Sequence, residues 1–514
     1  MNALYRIAGL CLLTASLGSC NSFLDTPPDT RTELNRADKI ERLLVSAYPT
    51  LLPMGFTEYR TDNAEDNGRL YEDNNRGVHE AFFWQPSSGT GWDDETQFWS
   101  TCYDVIGTAN QALKSIEELG SPRELQAARG EALLCRAYTN FIWVNVFGQA
   151  YNSKTSDKDL GIPYFTTPEH KLERAVPRLS VAKVYELIAK DIEEGIPLID
   201  DDHYTKPLYH FTTRAAKAFA TQFYLYYEKW DKAKKYADEV LGTGKLTNLR
   251  DMTPYSKLTN TKEISLRYIS DSDPANLMIL TTRSLWGRGM NNNRYTHNGH
   301  VASTQTYRSP GPWGAYFPVY DLLYGRSDGA LRFPKYEELF EITNVAAQTG
   351  QPHIVALPFT TDRVLLWRAE ARVMLSDFDG AASDLSQWYV SKQGKPATAQ
   401  AISDYYAVSI NPNDPDDVRE AMQRKLETVS KPLHPKFDLA PGMQTNMMQA
   451  VLHARRIVSV HDGSRWDDIK RYGIEITHKL YTGDVMTLKT DDPRRALQIP
   501  ASILSVGVEP NPGY

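Results

Sequence analysis

Residues 213–241 read TRAAKAFATQFYLYYEKWDKAKKYADEVL, and residues 362–390 read DRVLLWRAEARVMLSDFDGAASDLSQWYV. Each is a pair of amphipathic helical runs around a short break, and the two can be laid on each other. Trp230-Asp231-Lys232-Ala233 aligns with Phe378-Asp379-Gly380-Ala381, and Ala237 with Leu385. An aromatic turn residue followed by small residues four apart lets two helices approach closely, the pattern of tetratricopeptide-type pairs. Two such units far apart in the chain predict stacked helix pairs with long insertions rather than a regular array. The expected fold class is mostly α: a tetratricopeptide-like helix-pair scaffold with a long loop-rich insertion.

Upstream, Trp99, Tyr103, Ile106, Asn110, Leu113 and Ile116 recur at three and four residues, which makes 98–119 one helix. Gly120-Ser121-Pro122 stops it, and Arg123 to Phe147 forms its antiparallel partner, closed by Gly148. Ser180 caps a helix that runs to about Gly195. Helix pairs are thus expected over 98–147, 180–241 and 362–390, with further helices over 37–48, 443–460 and 465–473. Two regions, 55–97 and 244–350, read as loop-rich, with a short strand at Leu277 to Thr281. Long irregular segments on a helical scaffold tend to carry function.

The first residues have a different character. Arg6 supplies a positive charge, Ile7 to Leu17 is nearly all apolar, and Leu17-Gly18-Ser19-Cys20 follows. This order reads as a secretory signal, and the apolar run is shorter than the about 20 residues that span a bilayer. A cysteine directly after small residues marks a bacterial lipoprotein, acylated on Cys20 after a cut before it. The expected organisation is a signal peptide at 1–19, a lipidated tether at 20–36 and one domain at 37–514. Of four cysteines, Cys11 leaves with the signal and Cys20 takes the lipid. Cys102 and Cys135 remain, on adjacent helices; a compartment outside the cytoplasm permits their pairing, and two buried free thiols are the alternative.

With 41% hydrophobic and 24% charged residues the chain buries a core. Its net charge of -7 argues against a nucleic-acid partner. No zinc-protease helix, nucleophile elbow or phosphate loop occurs, and Gly242-Thr243-Gly244-Lys245 lacks the phosphate-loop spacing. Asp62 to Asn74 is rich in oxygen ligands but misses the calcium-loop pattern. No catalytic residue, metal or cofactor is expected.

Several segments resemble the SusD/RagB family of nutrient-binding outer-membrane lipoproteins. They are Cys20-Asn21-Ser22-Phe23-Leu24-Asp25; Trp99 to Leu113; Glu131 to Tyr138 leading to Phe147-Gly148; Leu366-Trp367-Arg368-Ala369-Glu370-Ala371; Arg455-Arg456 followed by Gly463 to Arg471; and Leu497-Gln498-Ile499-Pro500 with Asn511-Pro512-Gly513-Tyr514. Ala454 and His461-Asp462 depart from the family pattern. The resemblance implies a SusD-like fold and a protein on the outer face of the outer membrane, held there by its lipid anchor. It implies capture of oligosaccharides, or in some branches peptides, for a SusC-like TonB-dependent transporter. A surface glycoside hydrolase and a purely structural lid are the alternatives.

Sugar rings are held by Trp or Tyr faces, with Asn, Asp, Arg and His reading the hydroxyl rim. Two loop regions combine these types. Tyr71 to Trp92 has Tyr71, Asp73, Asn74, Arg76, Trp84 and Trp92; Trp286 to Trp313 has Trp286, Arg288, Asn292, Arg294, Tyr295, His297 and Trp313. Trp286 and Trp313 are the leading stacking candidates, whereas Trp99, Trp143, Trp230 and Trp466 are expected in the core.

Overall fold

The structure, a computed structural model, describes residues 34–68, 75–89, 91–168, 176–290, 294–315, 324–325 and 330–514. Cys20, Tyr71, Asp73, Asn74 and Asn292 lie outside the described residues, as do the expected leader and nearly all of the tether.

Helix α1 (Ala37–Leu44) buries Ile40 and Leu44. Helix α2 (Glu95–Glu118) starts three residues before the expected Phe98, because the Asp94 side chain accepts the Gln97 N–H and caps it there. Its apolar stripe packs on α3 (Gln126–Phe147), with Trp99 edge-on to Trp143 at 4.6 Å. Helix α4 (Val181–Gly195) is capped by Ser180, as expected. It meets α3 backbone to backbone: a Cβ on Gly130 would stand 2.8 Å from the Gly195 carbonyl oxygen, so only glycine fits. Cys102 and Cys135 are both buried and unpaired, which decides between the two alternatives.

Helices α5 (Thr213–Tyr226) and α6 (Trp230–Leu241) form one tetratricopeptide-like pair; α7 (Thr361–Met374) and α8 (Phe378–Ser391) form the other. Their turns are built alike. Glu228 and Ser376, at matching positions, both adopt φ near +60°. In each, the following N–H returns to the last helical turn, Lys229 to the Tyr224 carbonyl at 2.9 Å and Asp377 to the Arg372 carbonyl at 2.8 Å. That is a Schellman closure, made here without glycine. Ala233, Ala237, Ala381 and Leu385 are all buried. Arg368 of α7 joins the pairs, gripping Asp384 of α8 with two hydrogen bonds and reaching Asp238 of α6 at 3.1 Å.

Helices α9 (Ala399–Tyr406), α10 (Asp416–Glu427), α11 (Met443–Ser459) and α12 (Arg465–Arg471) complete the described α-scaffold that bears on the site. Where α7, α11 and α12 meet, Glu370 lies between Arg455 and Arg471 and accepts the Tyr472 hydroxyl at 2.6 Å. Burial opposes its ionisation, but the two guanidiniums outweigh it and hold the carboxyl at about 2.

The insertion is more ordered than its composition suggests. Two short strands, β1 (Glu65–Asp66) and β3 (Tyr295–Thr296), pair with each other. Strand β2 (Asn276–Thr282) covers the expected Leu277 to Thr281 and joins β4 (Leu339–Asn344) and β5 (Thr349–Thr360) in an antiparallel sheet with β5 in the middle. The β4–β5 hairpin replaces the expected loop and runs past its expected end at 350. Phe340 and Ile342 both stay exposed, so β4 shows no buried face in its sequence, and Gly350 and Pro352 make β5 read as a turn. A second hairpin, β6 (Ile476–Lys479) and β7 (Val485–Leu488), follows α12.

Candidate functional site

The leading stacking candidates belong to the interior. Trp286 is 3% exposed; its Nε1 donates to the His461 carbonyl at 2.7 Å and its ring sits edge-on to Tyr59. Trp313, 2% exposed, is packed among Trp388, Tyr389 and His453. Tyr295 and Trp84, also 2% exposed, end a column of four nearly parallel rings. Tyr295 stacks on Phe82 at 4.2 Å, Phe82 on His478 at 4.0 Å, and His478 on Trp84 at 4.5 Å. His297 is buried, its Nδ1 donating to the Leu331 carbonyl and its Nε2 accepting from the Thr306 hydroxyl; burial pushes it down to about 4, so it stays neutral. These residues were expected on a ligand surface because their segments read as loops. The correction is that aromatic loops this large must bury their own rings to be stable, and they do so against each other.

Alanine at Trp286 or Trp313 is therefore expected to cost about 3–5 kcal/mol of stability, as for other buried tryptophans. Glycan affinity of the folded fraction should be unchanged. Denaturant unfolding paired with calorimetry on the same preparations checks this.

Two of the other candidates are exposed. Trp92 is 46% exposed, beside Asp93, whose carboxylate accepts the Leu285 N–H at 2.7 Å. Arg288 lies in the short helix Trp286–Gly289 and pairs with Glu338 through Nε and one terminal nitrogen. Burial raises Asp93 above the usual carboxylate range.

The ring column has an outer end at which polar and aromatic groups reach solvent. Arg294, next to Tyr295 on β3, holds Asp66 of β1 with two hydrogen bonds of 2.7 and 2.9 Å. Its guanidinium lies between two rings, 5.0 Å from Tyr295 and 4.9 Å from Tyr481. Partial burial opposes the Asp66 charge, but the hydrogen bonds from Arg294 and from the Gly68 and Tyr481 N–H groups lower its pKa. Tyr481, in the β6–β7 turn, is 42% exposed. Arg294 was read from the sequence; Tyr481 was not. The missed signal is strict alternation: Glu475, Thr477 and Lys479 point outward while Ile476 and His478 are buried, and Gly483 at φ +94 follows. Period two before a glycine turn marks a hairpin.

Beside this ledge lies a groove of about 760 Å³, within the roughly 300–1,000 Å³ range of ligand sites. One wall is Glu65 with His300 and Thr304 of the short helix Gly299–Gln305; the opposite wall is Tyr405, Arg424 and Lys425 from α9 and α10. The outward face of β6 supplies a third side, Glu475, Thr477 and Lys479. On the floor, Asp62 meets Lys431 at 2.6 Å and Arg465 at 3.0 Å, with Arg456 at 3.4 Å. Burial raises the Asp62 pKa, but these three cations together hold it well below the usual range. Groove and ledge are neighbours: Glu65, which lines the groove, adjoins Asp66 in β1, and Lys479, which also lines it, lies two residues before Tyr481. The arrangement offers an aromatic edge, hydroxyls and charges of both signs along an open cleft, suited to binding an extended polar ligand. A cavity of about 90 Å³ beneath Tyr138 and Phe141 is too small for a sugar ring.

Comparison with known proteins agrees with this architecture. Residues 22–225 match a SusD-like family model described as starch-binding and associating with the outer membrane. Over that stretch the chain is similar to the SusD-like family. A SusD-like protein, P2, of Formosa agariphila is 27% identical over 156 residues, 30% of this chain and 28% of that protein, so the match spans little more than a quarter of the relative's length. Among solved structures, a SusD superfamily protein of Bacteroides vulgatus shares the fold at TM-score 0.61 and 18% identity, covering 93% of this chain and 98% of its own. A laminarin-binding SusD-like protein does so at TM-score 0.55 and 16% identity, over 93% of this chain and 100% of its own. At these identities the structural likeness establishes the SusD-like fold alone. No helix among the described residues is long and apolar enough to cross a membrane.

Proposed function

We propose that this SusD-like protein is a cell-surface receptor that binds oligosaccharides without transforming them. In this reading a lipid on Cys20 holds it to the outer face of the outer membrane, and a SusC-like TonB-dependent transporter takes the ligand onward. The observation that carries the proposal is the exposed Tyr481–Arg294–Asp66 ledge standing beside the groove along β6. A sugar has apolar C–H faces and a hydroxyl rim, and here an exposed ring stands beside a fixed guanidinium and carboxylate. The starch-binding description of the family and the laminarin-binding relative support the same ligand class.

The test is calorimetric titration of soluble glycans into the purified chain. Tyr481→Ala removes one stacking surface, worth about 1 kcal/mol, and is expected to weaken binding about fivefold with no loss of stability. Affinity identical to the unaltered protein would move the site elsewhere. Glycan turnover lost on replacing a single carboxylate would overturn the non-catalytic reading.

A further inference from the structure

We infer that the groove selects an anionic glycan, one carrying carboxylate or sulfate groups, and seats those groups on Lys479, Lys425 and Arg424. This rests on the carbohydrate-binding reading of the same site and narrows it.

The charges around the groove are unevenly engaged. The chain as a whole is net negative, at -7. Yet each carboxylate facing the groove has a partner. Asp62 has three cations around it. Glu65 pairs with His300 at 2.8 Å and accepts the Asn298 amide, Glu475 meets Lys489 at 3.3 Å, and Glu427 accepts the Gln423 amide. The cations are less engaged. Lys479 has no carboxylate within ion-pair distance among the described residues. Lys425 donates to the Tyr405 carbonyl at 2.6 Å and lies over that ring at 4.7 Å, with no acid in ion-pair distance among the described residues. Among the described residues the Arg424 side chain makes one long ion-pair contact, 3.6 Å, to Glu420 on an exposed helix face.

The floor adds to the imbalance. One carboxylate, Asp62, faces Lys431, Arg456 and Arg465, and the other side-chain partners of Arg456 are the neutral amides of Asn63 and Gln305. Positive charge in excess at the base of a cleft with low-dielectric walls focuses its field outward along the opening. A neutral sugar filling this groove would strip water from Lys479 and Lys425 and return only hydroxyl hydrogen bonds, which are weaker than hydrogen bonds to an anion. A glycan with a carboxylate or sulfate on each second residue returns an ion pair for each. Arg424 and Lys425 also sit in the last turn of α10, where cations offset the helix dipole. That role predicts a change in stability and none in ligand choice, so the two are separable.

The experiment titrates the purified full chain with oligogalacturonate, with a sulfated oligosaccharide and with laminarin oligosaccharides, at about 0.15 M and about 1 M NaCl, where the screening length falls from about 8 Å to about 3 Å. At least one anionic arm is expected to bind about tenfold tighter than laminarin at low salt and to lose that advantage at high salt. The exposed double variant Lys479→Glu with Arg424→Glu should lower anionic affinity about tenfold more than it lowers laminarin affinity. Laminarin binding as tight as the tighter of the two anions, or a double variant with undiminished anion affinity, overturns the inference. Laminarin binding that responds to Tyr481→Ala while neither anion binds would sink the anionic preference and leave the carbohydrate reading standing. No binding in any arm would remove both.

Discussion

Replacing Glu370 with alanine is expected to cost about 3–5 kcal/mol of folding stability, read as a shift of the denaturant midpoint. The carboxylate is fully buried between Arg455 and Arg471, which belong to different helices, and it also accepts the Tyr472 hydroxyl. Removing it leaves two guanidiniums in the interior, with Asp468 the remaining acid beside Arg455. The same group sets an acid limit. Its folded pKa, about 2, lies below the unfolded carboxylate value, so its stabilisation is complete above about pH 4.5 and fades as pH falls toward 2. The Glu370→Ala variant should lose stability at neutral pH and show a shallower decline over that acid range. An unchanged midpoint at neutral pH would mean the network contributes nothing.

The second large effect is on location. Cys20→Ala removes the thiol directly after the small residues of the signal-like start, where the lipid is proposed to attach, and the protein should move from the membrane to the soluble fraction. One anchor on the polar segment 21–36 would keep a large domain near a partner barrel yet let it swing, a use that suits a receptor handing over its ligand. Cell fractionation by immunoblot checks this, and unchanged fractionation would rule out the lipid anchor at Cys20.

The scaffold was legible in the sequence because helices announce themselves by period and punctuation. Trp99 to Ile116 repeats at helical spacing, Ser180 caps α4, and the Trp230 and Phe378 turns align residue for residue down to the left-handed Glu228 and Ser376. The site was only partly legible. Composition pointed to the two loop regions that contribute Arg294 and the loops around it, and Arg294 does stand at the ledge. It could not tell a ring that faces solvent from one that faces another ring. Trp84 and Tyr295 are far apart in the chain, and only the fold brings Phe82 and His478 between them. Tyr481 was passed over because it sits in a hairpin near the C-terminal end, away from any cluster of aromatics in sequence. The groove walls α9 and α10 were missed for a related reason: α10 has no fully buried residue and so no apolar stripe to read.

Glycan is expected to enter the groove along β6 and reach the Tyr481 ledge. Hydrogen exchange on the full chain, with and without a saturating bound glycan, tests it most directly. Slowed exchange is expected in the backbone of 294–305, 421–431 and 475–484, with the α5–α8 scaffold unchanged. Protection confined to the loops around Trp92 and Arg288, with the β6 hairpin exchanging as before, would contradict it.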